Sequence, residues 1–555
     1  MYLYEKQGCK RLVNLTVYDN LDQRSIKMAL SGMYAHYKAG NYISLYNLMA
    51  KYEQKLRLLH TFWYLRALTA KKLEKISQAS AYFNVAVTIA PENQNLLRDI
   101  SIFYRDERNY TLAYKYALRL VKLFPDNAES YATLGLVFLK MQEIAKAEEC
   151  LQHAFCLSPK NEKVINNLAK LKIEQGKYQD AIHLLESNMK EIENNVETIC
   201  NLALAYRSLN QTNKACDLLS IPTSSQLASI DNRTKNQFLF NRSVTLLSLG
   251  RCKEGWIDYR KRFSAPEFTT AYRSYDFPRL EKIADAFGKE LLIWPEQGVG
   301  DQFTFLGLLQ KFQHVTKSNI TLICDPRLQT IYARSFSDIN VTVDLETSTA
   351  DKTFDFHLPL GDIAPLMNFS KSNHFMSAPY IKPEEKTLRN WSELLSKNKL
   401  RIGLAWESGI KDCKRALNHT SVSDWAGIVA NKKIQTVNLQ YAVDINSLSK
   451  PDLRTFSKLY QPNFDLKNDF ENLAALIANL DCIISPTSAV MAYAASCGVP
   501  TISYHTYVTD RALCDAEGHE WYSNAWLNKN KIYLFDKTTK IQMIKRITQE
   551  IDTYL

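Results

Sequence analysis

Ala79, Ala113, Ala147, Ala181 and Ala215 follow one another at intervals of 34 residues. That period restricts this part of the chain to stacked helix-turn-helix units, because one such unit cannot bury its own apolar face and must lean on the next. A second set of small residues, Ala67, Ser101, Gly135, Ala169 and Ala203, keeps the same interval, and Pro91, Pro125 and Pro159 keep it again. Two antiparallel helices approach closely only where a small side chain faces the other backbone, so one small position per helix is what a helix pair requires. Bulky residues fill the spaces between: Trp63, Leu97, Tyr131 and Ile165 stand four residues before the small position of each first helix, and Phe83, Leu151 and Leu185 four after the alanine of the second. Proline closes the second helix, since its ring clashes with the preceding turn and it has no amide proton to donate.

These features resemble the tetratricopeptide repeat, and AESYATLGLVFLKMQEIAKAEECLQHAFCLSPKN (128–161) is the cleanest copy. Repeats are expected from about residue 60 to 220, with weaker ones at 26–59 and 236–262, and IPTSSQLASIDNRTK (221–235) breaks the register. The expectation is one continuous superhelix whose groove grips a peptide or protein. A rigid spacer or self-association arm is the alternative.

Beyond residue 264 the helical period gives way to short apolar runs closed by turns. ELLIW (290–294), ITLICD (320–325), VTVDL (341–345) and FDFHLPL (354–360) form one series, and KLRIGLAW (399–406), IQTVNLQ (434–440), DCIISP (481–486) and PTISYH (500–505) a second. Apolar strands alternating with helices predict parallel sheets covered on both faces. The 555 residues therefore divide into an α-solenoid at 1–262, a linker at 263–288, and two Rossmann-like α/β halves at 289–395 and 396–555. Ligands of such sheets sit at the carboxyl ends of the strands, and two facing halves enclose a cleft.

Composition narrows the function. A net charge of +11 from 69 basic and 58 acidic residues is spread widely, and no compact basic and aromatic stripe marks a nucleic-acid partner. The eleven cysteines lack paired spacing and read as thiols of a reducing cytoplasm. The first twenty residues lack the apolar core and cleavage site of a signal peptide, and no run of about eighteen apolar residues predicts membrane insertion. No histidine or cysteine pairing suggests a metal.

Three loops carry candidate chemistry. In WPEQGVGDQFTFLGLL (294–309), Gly298 and Gly300 allow a tight turn and close approach of backbone amides to a ligand. Asp301 then serves as a helix cap or as a general base facing the cleft. In the second half, Ser485, Thr487 and Ser488 form the turn entering a helix, suited to a diphosphate or acting as ordinary caps. ESGIKDCKRALNH (407–419) brings Lys411, Lys414 and Arg415 to a strand end, as a charge-neutralising loop or as a solvated one. Gln440, Tyr441, Glu471 and Asn472 are candidates for nucleotide contact by their nearness to element ends, and HEWYSNAW (519–526) for closing over a ligand or packing against the repeats.

The order of repeats, GWIDYRKRF (255–263), LLIWPEQGVGD, RIGLAWESG, VNLQ and DFENLAALIANLDCIISPTSAVMAYAASCGVP resembles the tetratricopeptide-repeat glycosyltransferases over about residues 60–540. The catalytic half of that group is related to bacterial heptosyltransferases, and its layout is similar to that of O-linked N-acetylglucosamine transferases. The resemblance implies a GT-B fold with a nucleotide-sugar substrate and no other cofactor. Asp301 would be the base, Lys414 or Arg415 the partner of the phosphate, and Thr487 and Ser488 the diphosphate turn. The implied acceptor is a protein, flagellin or another surface protein. The chain departs from many relatives in reading Ser485-Pro486-Thr487 for Val-Asp-Thr, Met491 for a histidine and Glu407 near a usual arginine. Two rival functions stay open: a scaffold that has lost activity, and a transferase acting on lipopolysaccharide or another glycan. The sugar, the base and the oligomeric state, a homo-oligomer included, are also open.

Overall fold

This computed structural model describes residues 23–188, 195–345, 353–369, 379–409, 416–506, 531–534 and 539–553. The fold forms two compact units, the first ending at Leu168 and the second beginning at Ala169.

The first unit is built of antiparallel helix pairs: α1 (Gln23–Lys38) with α2 (Tyr42–Leu56), α3 (His60–Lys72) with α4 (Ile76–Ile89), α5 (Gln94–Asp106) with α6 (Tyr110–Leu123), and α7 (Ala128–Lys140) with α8 (Ile144–Leu157). Both combs of small residues face the partner helix. Ala67, Ala79, Ala113 and Ala147 are fully buried, Ser101 Oγ donates to the carbonyl of Ala113 at 2.9 Å, and a Cβ on Gly135 would lie 2.7 Å from Leu151 Cγ. The weaker repeat expected at 26–59 is present as α1 and α2. Each proline of the third comb stands two residues past the end of α4, α6 or α8.

Two further 34-residue combs emerge from the backbone. Asn93 and Asn127 cap α5 and α7 by accepting the amides of Leu96 and Ser130, Asn161 accepts that of Val164, and Asn195 that of Thr198. Between the helices of successive pairs, Gly40, Glu74, Arg108, Gln142, Gly176 and Asn210 all take a left-handed backbone, φ between +59° and +76°.

The second unit continues with α9 (Glu162–Glu174, whose first part belongs to the first unit), α10 (Tyr178–Ser187), α11 (Val196–Ser208), α12 (Thr212–Leu218), α13 (Ser224–Ser229), α14 (Asn232–Ser248) and α15 (Cys252–Tyr259). The register break at 221–235 contains the short α13, and the next left-handed turn, Gly250, comes six residues later than the period would place it.

Two parallel sheets follow, β3-β2-β1-β4 and β6-β5-β7-β8-β9. The strands are β1 (Glu290–Trp294), β2 (Asn319–Ile323), β3 (Asn340–Thr342), β4 (Phe356–Pro359), β5 (Leu400–Leu404), β6 (Ile434–Asn438), β7 (Cys482–Pro486), β8 (Thr501–His505) and β9 (Lys531–Leu534). Eight answer the expected apolar runs, β1 at its full length and the others with ends shifted by up to three residues; β9 is not among the expected runs. β1 and β7, central in their sheets, are almost wholly buried, as strands covered on both faces must be. Each leads by a short loop into a helix, α16 (Val299–Leu306) after β1 and α17 (Ala489–Ser496) after β7. These two helices pack on each other: a Cβ on Gly300 would stand 3.0 Å from Ala489 Cα, and the rings of Phe303 and Tyr493 stack with centroids 4.2 Å apart. One apolar core, including Leu291, Ile293, Phe303, Leu439, Ile483 and Tyr493, therefore spans both sheets.

Candidate functional site

The loops beyond β1 and β7 meet where α16 and α17 begin. Gly298 N-caps α16 with an ordinary φ of −87°. Asp301, third residue of the helix, turns back so that its Oδ2 accepts the Gly298 N–H at 3.0 Å, and it is 6% exposed. The two glycines serve different ends. A Cβ on Gly298 would meet only Asp301 Oδ2, at 3.7 Å, so the loop is open there; Gly300 lets the helix approach Ala489, whose Cα would stand 3.0 Å from a Cβ.

Behind this loop lies a buried ion cluster that the sequence alone does not anticipate. Arg262, just past α15 and without exposed surface, donates through Nε to both oxygens of Glu296 at 3.1 and 3.2 Å, through Nη2 to Glu296 Oε2, and through Nη1 to Asp362 Oδ1 at 2.8 Å. Arg279 Nε donates to Asp362 Oδ2 at 2.8 Å. Burial pushes the Glu296 carboxyl up against the pull of Arg262, and the charges of Asp362 and Asp301 add to the rise. Burial also disfavours charge on Asp362, but Arg262, Arg279 and Arg260 outweigh it and hold that carboxyl below its usual range. Gly361 makes the cluster possible, since a Cβ there would lie 2.1 Å from Glu296 Oε1. One guanidinium thus joins the end of the repeats, the β1–α16 loop and the turn after β4. Both motifs were visible, in GWIDYRKRF and WPEQGVGD, but nothing in the chain announces their pairing.

On the β7 side, Ser485 is fully buried and committed to the turn: its Oγ donates to Pro486 O at 2.8 Å and lies 2.9 Å from Ser488 Oγ. Thr487 and Ser488 are half-buried. The Thr487 amide donates to Tyr504 O at 3.3 Å and its hydroxyl lies 3.4 Å from Ser503 Oγ. Ser488 N-caps α17 without a side-chain bond to the helix amides. Gln440, also buried, holds the end of β5: its Oε1 accepts the amides of Trp406 and Glu407 at 3.0 and 2.8 Å. His419 Nε2 accepts the Ser408 amide at 3.1 Å, which anchors the next residue of the same loop.

Glu471 and Asn472 join elements. Arg334 grips Glu471 through both terminal nitrogens at 2.8 and 2.9 Å, and Asn472 Oδ1 accepts Trp391 Nε1–H at 3.1 Å. Lys411, Lys414 and Arg415, like Trp521, Tyr522 and Trp526, lie outside the described residues. Among the described residues, no cluster of three or more histidine, cysteine, aspartate or glutamate side chains could hold a metal ion, and no helix is long and apolar enough to cross a membrane.

The family profile of the tetratricopeptide repeat matches residues 60–93 and 128–161, so the helix pairs there are tetratricopeptide repeats. Protein FlbA of Caulobacter vibrioides is 23% identical over 510 residues, covering 87% of this chain and 83% of that protein. Among solved structures, a tetratricopeptide repeat protein from Parabacteroides merdae is 14% identical with a TM-score of 0.36, over 43% of this chain and 92% of that one. Pseudomonas aeruginosa PilF is 16% identical with a TM-score of 0.30, over 36% and 93%.

Proposed function

We propose that this chain is a metal-independent GT-B glycosyltransferase that moves a sugar from a nucleotide sugar to serine or threonine hydroxyls of a protein chosen by the repeats. The observation that carries the reading is the meeting of the two strand-loop-helix units, with Gly300 packed against Ala489, which brings the Asp301 loop and the Ser488 helix start to one place. In this reading residues 1–262 select the acceptor, and the halves at 289–395 and 396–555 hold acceptor hydroxyl and donor. The α17 helix start, with Thr487 and Ser488, receives the donor diphosphate, since free amides and the positive helix end favour an anion. Lys414 and Arg415 offset the charge that grows on the leaving nucleotide. The acceptor oxygen attacks the anomeric carbon, the bond from that carbon to the nucleotide oxygen breaks, and Asp301 takes the hydroxyl proton. A surface protein such as flagellin, modified in the cytoplasm before export, is the acceptor class proposed.

A second reading rests on Asp301 Oδ2, which already accepts the Gly298 amide. If capping is its whole purpose, the chain is a binding scaffold. Thermal unfolding with UDP, GDP, CMP or ADP separates the two readings, because a ligand at a hundred times its dissociation constant adds about 2.7 kcal/mol. The transferase reading expects stabilisation by one of these nucleotides that weakens in Thr487→Ala and survives in Asp301→Asn. Asp301→Asn should lower transfer to the protein acceptor by roughly 10²–10⁴-fold. No stabilisation by any nucleotide or its sugar conjugate would leave the scaffold, and label appearing on lipopolysaccharide or another glycan would make the acceptor a glycan rather than a protein.

A further inference from the structure

The segment between the repeats and β1 is held by the face of the last repeats in the way a peptide is held. Lys170, one residue past the comb position Ala169, places its ammonium 3.1 Å from Glu267 Oε1. Gln237 grips the same residue twice: its Oε1 accepts the Glu267 main-chain amide at 3.0 Å, and its Nε2 donates to Glu267 Oε2 at 3.2 Å. That Nε2 also donates to Asn241 Oδ1 at 3.0 Å. Gln237, Phe240 and Asn241 lie three and four residues apart on α14 and so share one helix face. The next residue, Phe268, meets Phe240 edge to face at 5.8 Å and lies 5.7 Å from the Arg262 guanidinium. Two residues further on, Thr270 Oγ1 accepts the Gln297 amide at 2.9 Å, and Gln297 has a left-handed φ of +58° on the loop that leads to Asp301.

We infer that Glu267 and Phe268 are an internal ligand, filling a recognition site on α9 and α14 for an acidic residue followed directly by an aromatic one, and that a partner protein segment bearing this pair displaces them. Gln237 meets the main-chain amide, Lys170 and Gln237 the carboxylate, and Phe240 the ring, and together these contacts define a dipeptide. The strap is also placed for exchange. Pro266, Glu267 and Thr269 are exposed and only Ala265 and Phe268 are buried between Ser264 and Thr270, so its release uncovers two side chains of the strap. An incoming aromatic ring replaces Phe268 beside Arg262. A tethered ligand has an effective concentration of the order of millimolar, so only a partner that binds the open site well below that range wins. Its arrival removes Thr270 from Gln297, which links occupancy of the repeats to the loop of Asp301. The effect on catalysis rests on the transferase reading; recognition and exchange do not.

The test uses the full-length chain and a fluorescein-labelled heptapeptide copied from residues 264–270, followed by anisotropy. The double variant Glu267→Lys/Phe268→Ala should bind it at least tenfold more tightly than the unaltered protein. Adding Lys170→Glu should remove that gain. Equal binding by the unaltered and opened proteins, or binding indifferent to Lys170→Glu, overturns the proposal. A second measurement needs no variant. With millimolar unlabelled heptapeptide, the amides of Glu267 and Gln297 in the unaltered protein should exchange hydrogen severalfold faster, while unchanged exchange of either overturns the proposal. Both readouts stand whether or not the chain transfers a sugar.

Discussion

Gln142 is a glutamine where the backbone asks for glycine. It shares its left-handed turn with Gly40, Glu74, Arg108, Gly176 and Asn210, and a side chain in that region costs about 1–2 kcal/mol against the Cβ-carbonyl contact. Glu74, Arg108 and Gln142 are exposed, so little packing offsets the strain. Gln142→Gly and Arg108→Gly should each raise stability by about 0.5–1 kcal/mol, the relief being partly cancelled by the greater freedom of glycine in the unfolded chain. Urea denaturation reads this directly, and a midpoint that stays or falls would show that the turns are held by something other than local preference. The comb explains what could be read from the chain. Small residues and prolines repeat because sterics admit few substitutes, so they announce the period. The left-handed turn admits several residue types, so only its backbone repeats.

At the scale of elements, the critical contact is the crossing of α16 and α17. Gly300→Ala drives a Cβ to 3.0 Å from the Ala489 backbone, where no side chain can move aside. Such overpacking costs about 1–3 kcal/mol. Gly298→Ala meets open space at an ordinary φ and should change stability by under about 1 kcal/mol. Thermal unfolding of the pair tests whether the two loops are set by this crossing; equal loss in both variants would refute it. Most strands were readable because burial on both faces demands unbroken apolar runs such as ELLIW and CIISP. KIYL, four residues between lysine- and asparagine-rich neighbours, offered no such run. In the sequence Gln440 and Glu471 stand out for lying near element ends, but that position equally suits the loop anchor and the Arg334 partner that the structure shows them to be.

Across the second unit, distant segments are joined by charge as well as by the shared core. Arg334 on the first half reaches Glu471 on the second, and Arg327 donates to Lys467 O and Asn468 Oδ1 at 3.2 and 3.1 Å. Arg262 joins partners 34 and 100 residues further along the chain, a separation at which sequence patterns say nothing about pairing. Its removal leaves two carboxylates buried without their main counter-charge, and breaking such a pair costs about 3–5 kcal/mol. The same arrangement gives the newborn chain an order of events. A ribosome releases the helices around Arg262 first, then Glu296, and Asp362 last of the three. A chain stalled with residues up to 345 outside the exit tunnel therefore carries an arginine still waiting for Asp362 and a first sheet without β4. Proteolysis of stalled chains should find the helices before residue 260 resistant and residues 289–345 cut, with resistance there appearing only once the turn at Asp362 has cleared the exit tunnel. Protection of 289–345 before that point would show that the sheet closes without its ionic clasp. On this account the ionic clasp of Arg262 is among the last parts of the first sheet to close, and it waits for the chain beyond β4 to arrive.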